Sequence, residues 1–439
     1  MRQNKKGNPV ALLPIAIFLV LYLGLGVLFE FVMKIEMGFY SIPIVVVFMV
    51  ALLVACLQNR KLGFEDKLEI MGKGVGDKNI VTMIIIFIEA GAFVGVVGRS
   101  SAQSVAYLML SVIPSKFAVA VLFVVAALVS VAMGTSVGTI TLLTPIGVAV
   151  SATSGFSMPL CIASIVGGSM FGDNLSFISD TTIAACKGQG CDMKDKFREN
   201  FKIALPAAIV TVILILVISF TDNAAALDIP DYNIVQIIPY VLVLIGGVVG
   251  INVFIVLLVG IVSGAIIMLL TGVTTFTSLL TSMGSGVSGM FETAMVAIIV
   301  SAICALVREF GGFDAILNVI YRLFPGKKGG LFGMGILVIL MDIATANNTV
   351  AIVMANPIAK EISTEYGISS RKAASILDTF SCVSQGVIPY GAQMLVAISS
   401  AAALGYSVSS MQIIPLLLYP YLLFVSSLIF IFFGKAENN

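Results

Sequence analysis

The sequence predicts an all-α, polytopic membrane protein of about 10–12 transmembrane segments, with inverted repeats and interrupted helices or re-entrant hairpins. Three observations predict it: a shortage of charge, apolar runs of bilayer-crossing length, and polar breaks that recur at one fixed offset. Of 439 residues, 59% are apolar and only 11% charged, with a mean hydropathy of +1.11. A soluble domain carries roughly 25% charged residues, so most of this surface must meet lipid. A β-barrel is excluded, because its strands are about ten residues of alternating pattern.

In chain order, the crossing segments are expected at Val10–Met33, Phe39–Leu57, Ile80–Val97, Phe117–Met133, Ile203–Phe220, Ile234–Gly250, Phe254–Leu270, Thr293–Val307, Leu331–Met341 and beyond, and Met411–Phe433. Two further apolar stretches, near 159–186 and 373–404, are interrupted by polar clusters. The first run is too long for a signal peptide, has no small-residue cleavage site before Glu30, and reads as a membrane helix. The six cysteines mostly sit inside apolar runs and read as packing residues. With no histidine, a Ser-His-Asp enzyme is impossible, and a net charge of +1 gives no reason to expect nucleic acid. The Gly72–Gly76 run lacks the strand–helix context of a nucleotide loop, so no cofactor is expected.

Basic residues concentrate in Arg2, Lys5 and Lys6, in Arg60, Lys61, Lys67, Lys73 and Lys78, and in Lys187, Lys194, Lys196, Arg198 and Lys202. The Thr221–Asn233 loop instead holds Asp222, Asp228 and Asp231. The positive-inside rule places the three basic clusters in the cytoplasm and the acidic loop outside, in the cell's inner (plasma) membrane with both termini cytoplasmic. Lys435, Arg322, Lys327 and Lys328 then fall inside too. The loop with Lys360, Arg371 and Lys372 falls outside, against the rule.

An internal repeat relates 134–181 to 346–393 at an offset of 212: Pro145 pairs with Pro357, Gly155 with Gly367, Ser157 with Ser369. Between the two repeat units lie three crossings, near 203–220, 234–250 and 254–270, so the second copy is expected upside down, as in alternating-access transporters. The chain divides into N-terminal scaffold helices (1–78), a first repeat with the ion site (79–202), connecting helices (203–290), the inverted repeat (291–400) and a C-terminal helix (401–439). Each repeat has two breaks: Gly134–Thr139 and Gly172–Thr182 in the first, Thr345–Thr349 and Ser384–Gln393 in the second. Gly, Ser, Thr and Asn compete with helical backbone hydrogen bonds. Backbone so freed must be buried in protein or line a watery cavity, where helix N-termini suit anions and carbonyls suit cations.

Asp173 and Asp180 are the sharpest candidates, because an aspartate at mid-membrane costs roughly 2.5–3.5 kcal/mol. With Asn174, Ser176, Ser179, Thr181 and Thr182 they offer enough oxygens for a dehydrated Na⁺. A carboxylate that holds either Na⁺ or H⁺ is the minimal exchange device. Glu89 is a second carrier candidate; Glu292, Asp342 and Asp378 read equally as helix caps or as partners for Arg308 or Arg99. The second repeat presents only neutral groups (Asn347, Asn348, Thr349, Asn356, Gln385, Tyr390 and Gln393), which suit an organic solute bound opposite the cation.

The run Phe171-Gly-Asp-Asn-Leu-Ser-Phe-Ile-Ser-Asp-Thr-Thr182 resembles the G-D-K-x-S-P-x-S-D-T-T signature of the NhaC sodium/proton antiporter family, and Gly134–Thr139 resembles its G-T-S-x-G-T. The resemblance covers most of the chain. It implies Asp173, Ser176, Ser179, Asp180, Thr181 and Thr182 in the ion site, with Thr135, Ser136 and Thr139 opposite, and a homodimer. Asn174 stands where the family usually has Lys, and Phe177 where it has Pro. The lysine's loss removes an internal counter-charge. The leading expectation is Na⁺/H⁺ antiport by alternating access; the alternative is a Na⁺-driven symporter of an amino acid or other small organic solute.

Overall fold

The computed structural model describes residues 7–35, 42–176, 179–221, 231–249 and 251–434. The Met1–Lys6 cluster, Asp222, Asp228, Phe177, Lys435 and the side chains of Arg99 and Arg322 lie outside the described residues. Nine helices among those described are long and apolar enough to cross a membrane, or up to eleven if each sharply bent pair is one span. The protein is therefore a multi-pass membrane protein.

The N-terminal helices are α1 (Leu13–Val27), α2 (Ile44–Leu57), α3 (Phe64–Val75) and the long α4 (Lys78–Val112). The first repeat holds α5 (Ala118–Met133), α6 (Ser136–Ser154), α7 (Met158–Leu175) and α8 (Asp180–Gln189). Next come α9 (Met193–Thr221), α10 (Ile238–Val249), α11 (Val253–Leu270), α12 (Phe276–Gly289), α13 (Phe291–Glu309) and α14 (Gly312–Leu323). The second repeat holds α15 (Gly326–Thr345), α16 (Asn348–Glu365), α17 (Ser370–Val387) and α18 (Ala392–Ala403), before α19 (Ser410–Ile413) and α20 (Leu418–Phe433).

The expected boundaries shift in three places. The run at 80–97 continues to Val112 through a kink at Gly98, whose φ of +57° only glycine adopts cheaply. Helices α2 and α10 have 14 and 12 residues, shorter than a crossing. Helix α9 starts ten residues before Ile203, which carries Lys194, Lys196, Arg198 and Lys202 onto a helix and out of the expected loop.

The offset of 212 holds through the repeat. Helices α6, α7 and α8 begin at 136, 158 and 180, and α16, α17 and α18 at 348, 370 and 392. Thr135 and Asn347 are both extended N-caps, each accepting a backbone N–H from three residues on. Gly134 and Ala346 before them are both left-handed. Pro145 and Pro357 both sit inside their helices. Packing is reciprocal: α8 lies on α16, and its counterpart α18 lies on α6. That exchange marks an approximate two-fold axis, since each element meets its partner's equivalent.

Helices α15 and α16 form a hairpin. A Cβ on Gly367, at its open end, would lie 3.6 Å from Lys327 Cε, while its tip at 345–347 points inward. The basic segment 360–372 lies beside the 187–202 cluster, not across the membrane from it. Lys360 Nζ donates to Gln189 O, and Arg371 Nε lies 3.5 Å from Glu199. The apparent violation of the charge rule is thereby removed.

Candidate ion site and buried charge network

Asp173, in the last turn of α7, is 4% exposed, and each of its oxygens accepts a hydroxyl. Ser136, in the first turn of α6, donates to Oδ2 at 2.8 Å; Ser179, the N-cap of α8, makes a short bond to Oδ1. Ser179 also exchanges a hydrogen bond with Thr181 at 2.7 Å. Gln393 Nε2 reaches Ser136 Oγ at 3.0 Å; Gln385 Nε2 bonds Gln393 Oε1 at 2.6 Å and the carbonyl of Ala346 at 3.1 Å. One hydrogen-bonded chain thus runs from the carboxylate of the first repeat to the tip of the second.

These groups border a cavity of about 70 Å³ lined by Thr82, Ile86, 134–137, Asp173, Ser179, Asp180, Thr181, 347–349 and Gln393. The volume holds a cation and a few waters, a single water needing roughly 10–15 Å³ by this measure. The matched tips 134–137 and 347–349 share it, so the N-termini of α6 and α16 converge on one space.

The expected site residues divide. Thr135, Ser136, Asp173, Ser179, Asp180, Thr181, Asn347, Asn348 and Thr349 line the cavity. Asp180 does so as an exposed group at the start of α8, not as the second buried acid that the sequence reading expects. Thr139 is buried and donates to Thr135 O, Ser176 donates to Val131 O, and Gln385 stands one hydrogen bond behind Gln393. Glu89 is half-buried on α4 and not among the lining residues. Glu292 is exposed.

Asn174 and Thr182 belong to a second, buried cluster around an ion pair. Lys196, 1% exposed, pairs with Asp378, which is fully buried. Its ammonium also donates to Asn174 O at 2.8 Å and Thr182 Oγ1 at 2.7 Å, while Asn200 Nδ2 reaches Asp378 at 3.1 Å. Asp378 is therefore partnered by Lys196, not by Arg308, and Lys196 is not a loop charge. The signal was present in the sequence. The buried face of α9 recurs every three or four residues through 211, 208, 207, 204, 203 and 200, and one more step back reaches 196.

A family model described as the Na⁺/H⁺ antiporter family matches residues 6–220 and 229–435. This chain belongs to the Na⁺/H⁺ antiporter family. Within curated proteins, the antiporter-family chain is 28% identical over 237 residues to a malate-2H⁺/Na⁺-lactate antiporter of Bacillus subtilis, covering 50% of each. It is also 30% identical over 154 residues to an uncharacterized protein of Haemophilus influenzae, covering 35% of this chain and 30% of that one. The chain spans half or less of the curated relatives it matches. A crystal structure of the Alcanivorax borkumensis YdaH transporter aligns over 97% of this chain and 98% of that one, at 13% identity and a TM-score of 0.44.

For an antiporter-family chain, the departure at Asn174 gains a structural meaning. Residue 174 is neutral, but the Lys196 ammonium reaches its carbonyl from α9, so a cation stands beside this position after all.

Proposed function

We propose that the protein is a Na⁺/H⁺ antiporter that works by alternating access, with Na⁺ held at Asp173 between the two repeat tips. One observation carries the reading: a buried carboxylate, held by two hydroxyls, borders the small cavity where the matched breaks meet. One carboxylate with Ser and Thr hydroxyls and amide oxygens is a hard, singly charged donor set that suits an alkali cation. Protonation of the same carboxylate removes the charge that attracts Na⁺, which makes occupancy by the two ions exclusive. The membrane is proposed to be the cell's plasma membrane, with 187–202 and 360–372 on the cytoplasmic side.

The test is Na⁺-dependent dequenching of a pH dye in proteoliposomes without organic solute. Wild type should respond and Asp173→Asn should not. A response of undiminished size in Asp173→Asn would sink the assignment.

A second reading, coupled movement of a small organic carboxylate, is favoured by the helix ends. Two N-termini, capped by Thr135 and Asn347, add about half a positive charge each beside a neutral polar tip. The Bacillus relative is named for such solutes. No proton movement in the dye assay, with labelled organic anion accumulating on a Na⁺ gradient, would select this reading over the first.

A further inference from the structure

A second acid lies deep in the other repeat, outside the cavity. Asp342, one turn before the tip of α15, is 0% exposed. Ser384 of α17 donates to its Oδ2 at 2.6 Å, and Oδ1 has no hydrogen-bond partner among the described residues. The contrast with the other buried acids is one of compensation. Asp173 has a hydroxyl on each oxygen and a cavity in front of it. Asp378 also has a bare oxygen, but its charge is matched by Lys196. Glu89 also has a bare Oε2, but the residue is only half-buried, whereas Asp342 is fully enclosed. Asp342 has no ion pair among the described residues, and a bare carboxylate in such a place is far costlier than a carboxylic acid.

The titratable groups that face it are uncharged as protonated. The Tyr390 hydroxyl donates to Ile343 O at 2.8 Å, and the Cys304 thiol of α13 to Ala344 O at 3.2 Å. Arg308, one turn beyond Cys304, is exposed in a vestibule of about 350 Å³ beside Glu309, Lys73 and Asp77. Among the described residues, no ion pair joins Asp342 to a side chain of the helices packed on α15, which are α13, α14, α16, α17 and α20.

Water has a route close by. Thr345, one turn on from Asp342, lines both that vestibule and a smaller cavity of about 20 Å³ that reaches Ala346, Asn347 and Tyr390. Asn347 in turn borders the Asp173 cavity. The tip that carries Asp342 therefore separates the vestibule from the ion site.

We propose that Asp342 is a second, proton-only site: the uncompensated carboxylate one turn below the second repeat's tip takes a proton from vestibule water on its bare Oδ1. This rests on the Na⁺/H⁺ reading and deepens it. With H⁺ also exchanging for Na⁺ at Asp173, two protons move against one Na⁺, and the exchange becomes voltage-sensitive. The proton adds to the carboxylate without any bond being broken in the protein, and it leaves to water on the other side.

The experiment uses the full chain in lipid and the variant Asp342→Asn, which copies the neutral acid in shape. Infrared difference spectra of wild type should contain a carboxylic-acid carbonyl band that disappears in Asp342→Asn and persists in Asp173→Asn. In proteoliposomes with the membrane potential set by K⁺ and valinomycin, wild-type exchange should follow the potential. Asp342→Asn should exchange Na⁺ for H⁺ with that dependence lost and its Na⁺-induced thermal shift kept. An unchanged carbonyl band, an unchanged response to potential, or loss of the Na⁺-induced shift overturns the proposal. Should Asp342→Asn fail to purify as a single species, Ser384→Ala decides. It removes the hydrogen bond that the ionised form receives and should move the pH midpoint of the voltage-dependent flux upward; no movement overturns the proposal. A wild type without any Na⁺-induced shift would instead count against the Na⁺/H⁺ reading itself.

Discussion

Two aspartates separated by seven residues look equivalent in the chain, and burial separates them. Asp173 has lost bulk water and depends on Ser136 and Ser179, whereas Asp180 opens onto the cavity as an exposed group. An exposed carboxylate acts on a nearby cation through a high dielectric, worth about 1 kcal/mol at 4 Å. Asp180→Asn should therefore weaken Na⁺ affinity by roughly fivefold, read from the concentration dependence of the thermal shift, while Asp173→Asn abolishes it. Equal losses would restore the two-acid site. Lys196 shows the reverse case, a charge that composition assigns to a loop and that helix periodicity places in the core. Removing one member of a buried pair leaves the other uncompensated, typically at a cost of 3–5 kcal/mol. Lys196→Met should lower thermal stability accordingly, and adding Asp378→Leu should recover most of it; the double-mutant cycle measures the coupling.

The repeat breaks were legible because they are local. Thr and Asn cap, Gly adopts left-handed backbone and Pro interrupts, each at positions 212 apart. The weak match is Ala346, which takes φ +49° where the first repeat has Gly134 at +68°. A side chain there costs roughly 1–2 kcal/mol. Gly134→Ala should lower the melting temperature and Ala346→Gly should leave it unchanged or raise it; shifts in the same downward direction would show that the tips are held by something other than backbone preference. The half-helices were harder to read. That α8 would lie on α16, and α18 on α6, depends on contacts between segments more than a hundred residues apart.

For the whole molecule, charge asymmetry read along the chain misplaces 360–372, where counting crossings fails because hairpins return to the side they left. The bonds from Lys360 to Gln189 and from Arg371 to Glu199 put that segment beside 187–202. Cysteines introduced at exposed Lys194 and Glu365, in a background lacking the native six, should react with an impermeant reagent from the same face of the membrane. Labelling from opposite faces would refute this packing. A net charge moved per cycle is worth about 2.3 kcal/mol per 100 mV, so the exchange ratio decides whether the gradient or the potential drives the cycle.

Hydropathy, the 212-residue echo and a pair of polar motifs determine, without any coordinates, a multi-pass helical membrane protein with interrupted repeats and an acid in the first of them. Those properties follow from chain-local physics: the length needed to cross lipid, and the backbone preferences of Gly, Pro, Thr and Asn. Tertiary structure alone decided which acids are compensated. Asp173 took two hydroxyls, Asp378 took Lys196, and Asp342 took only Ser384. The cost of a charge in a membrane protein depends on what lies within a few ångströms of it, and those neighbours come from distant parts of the chain.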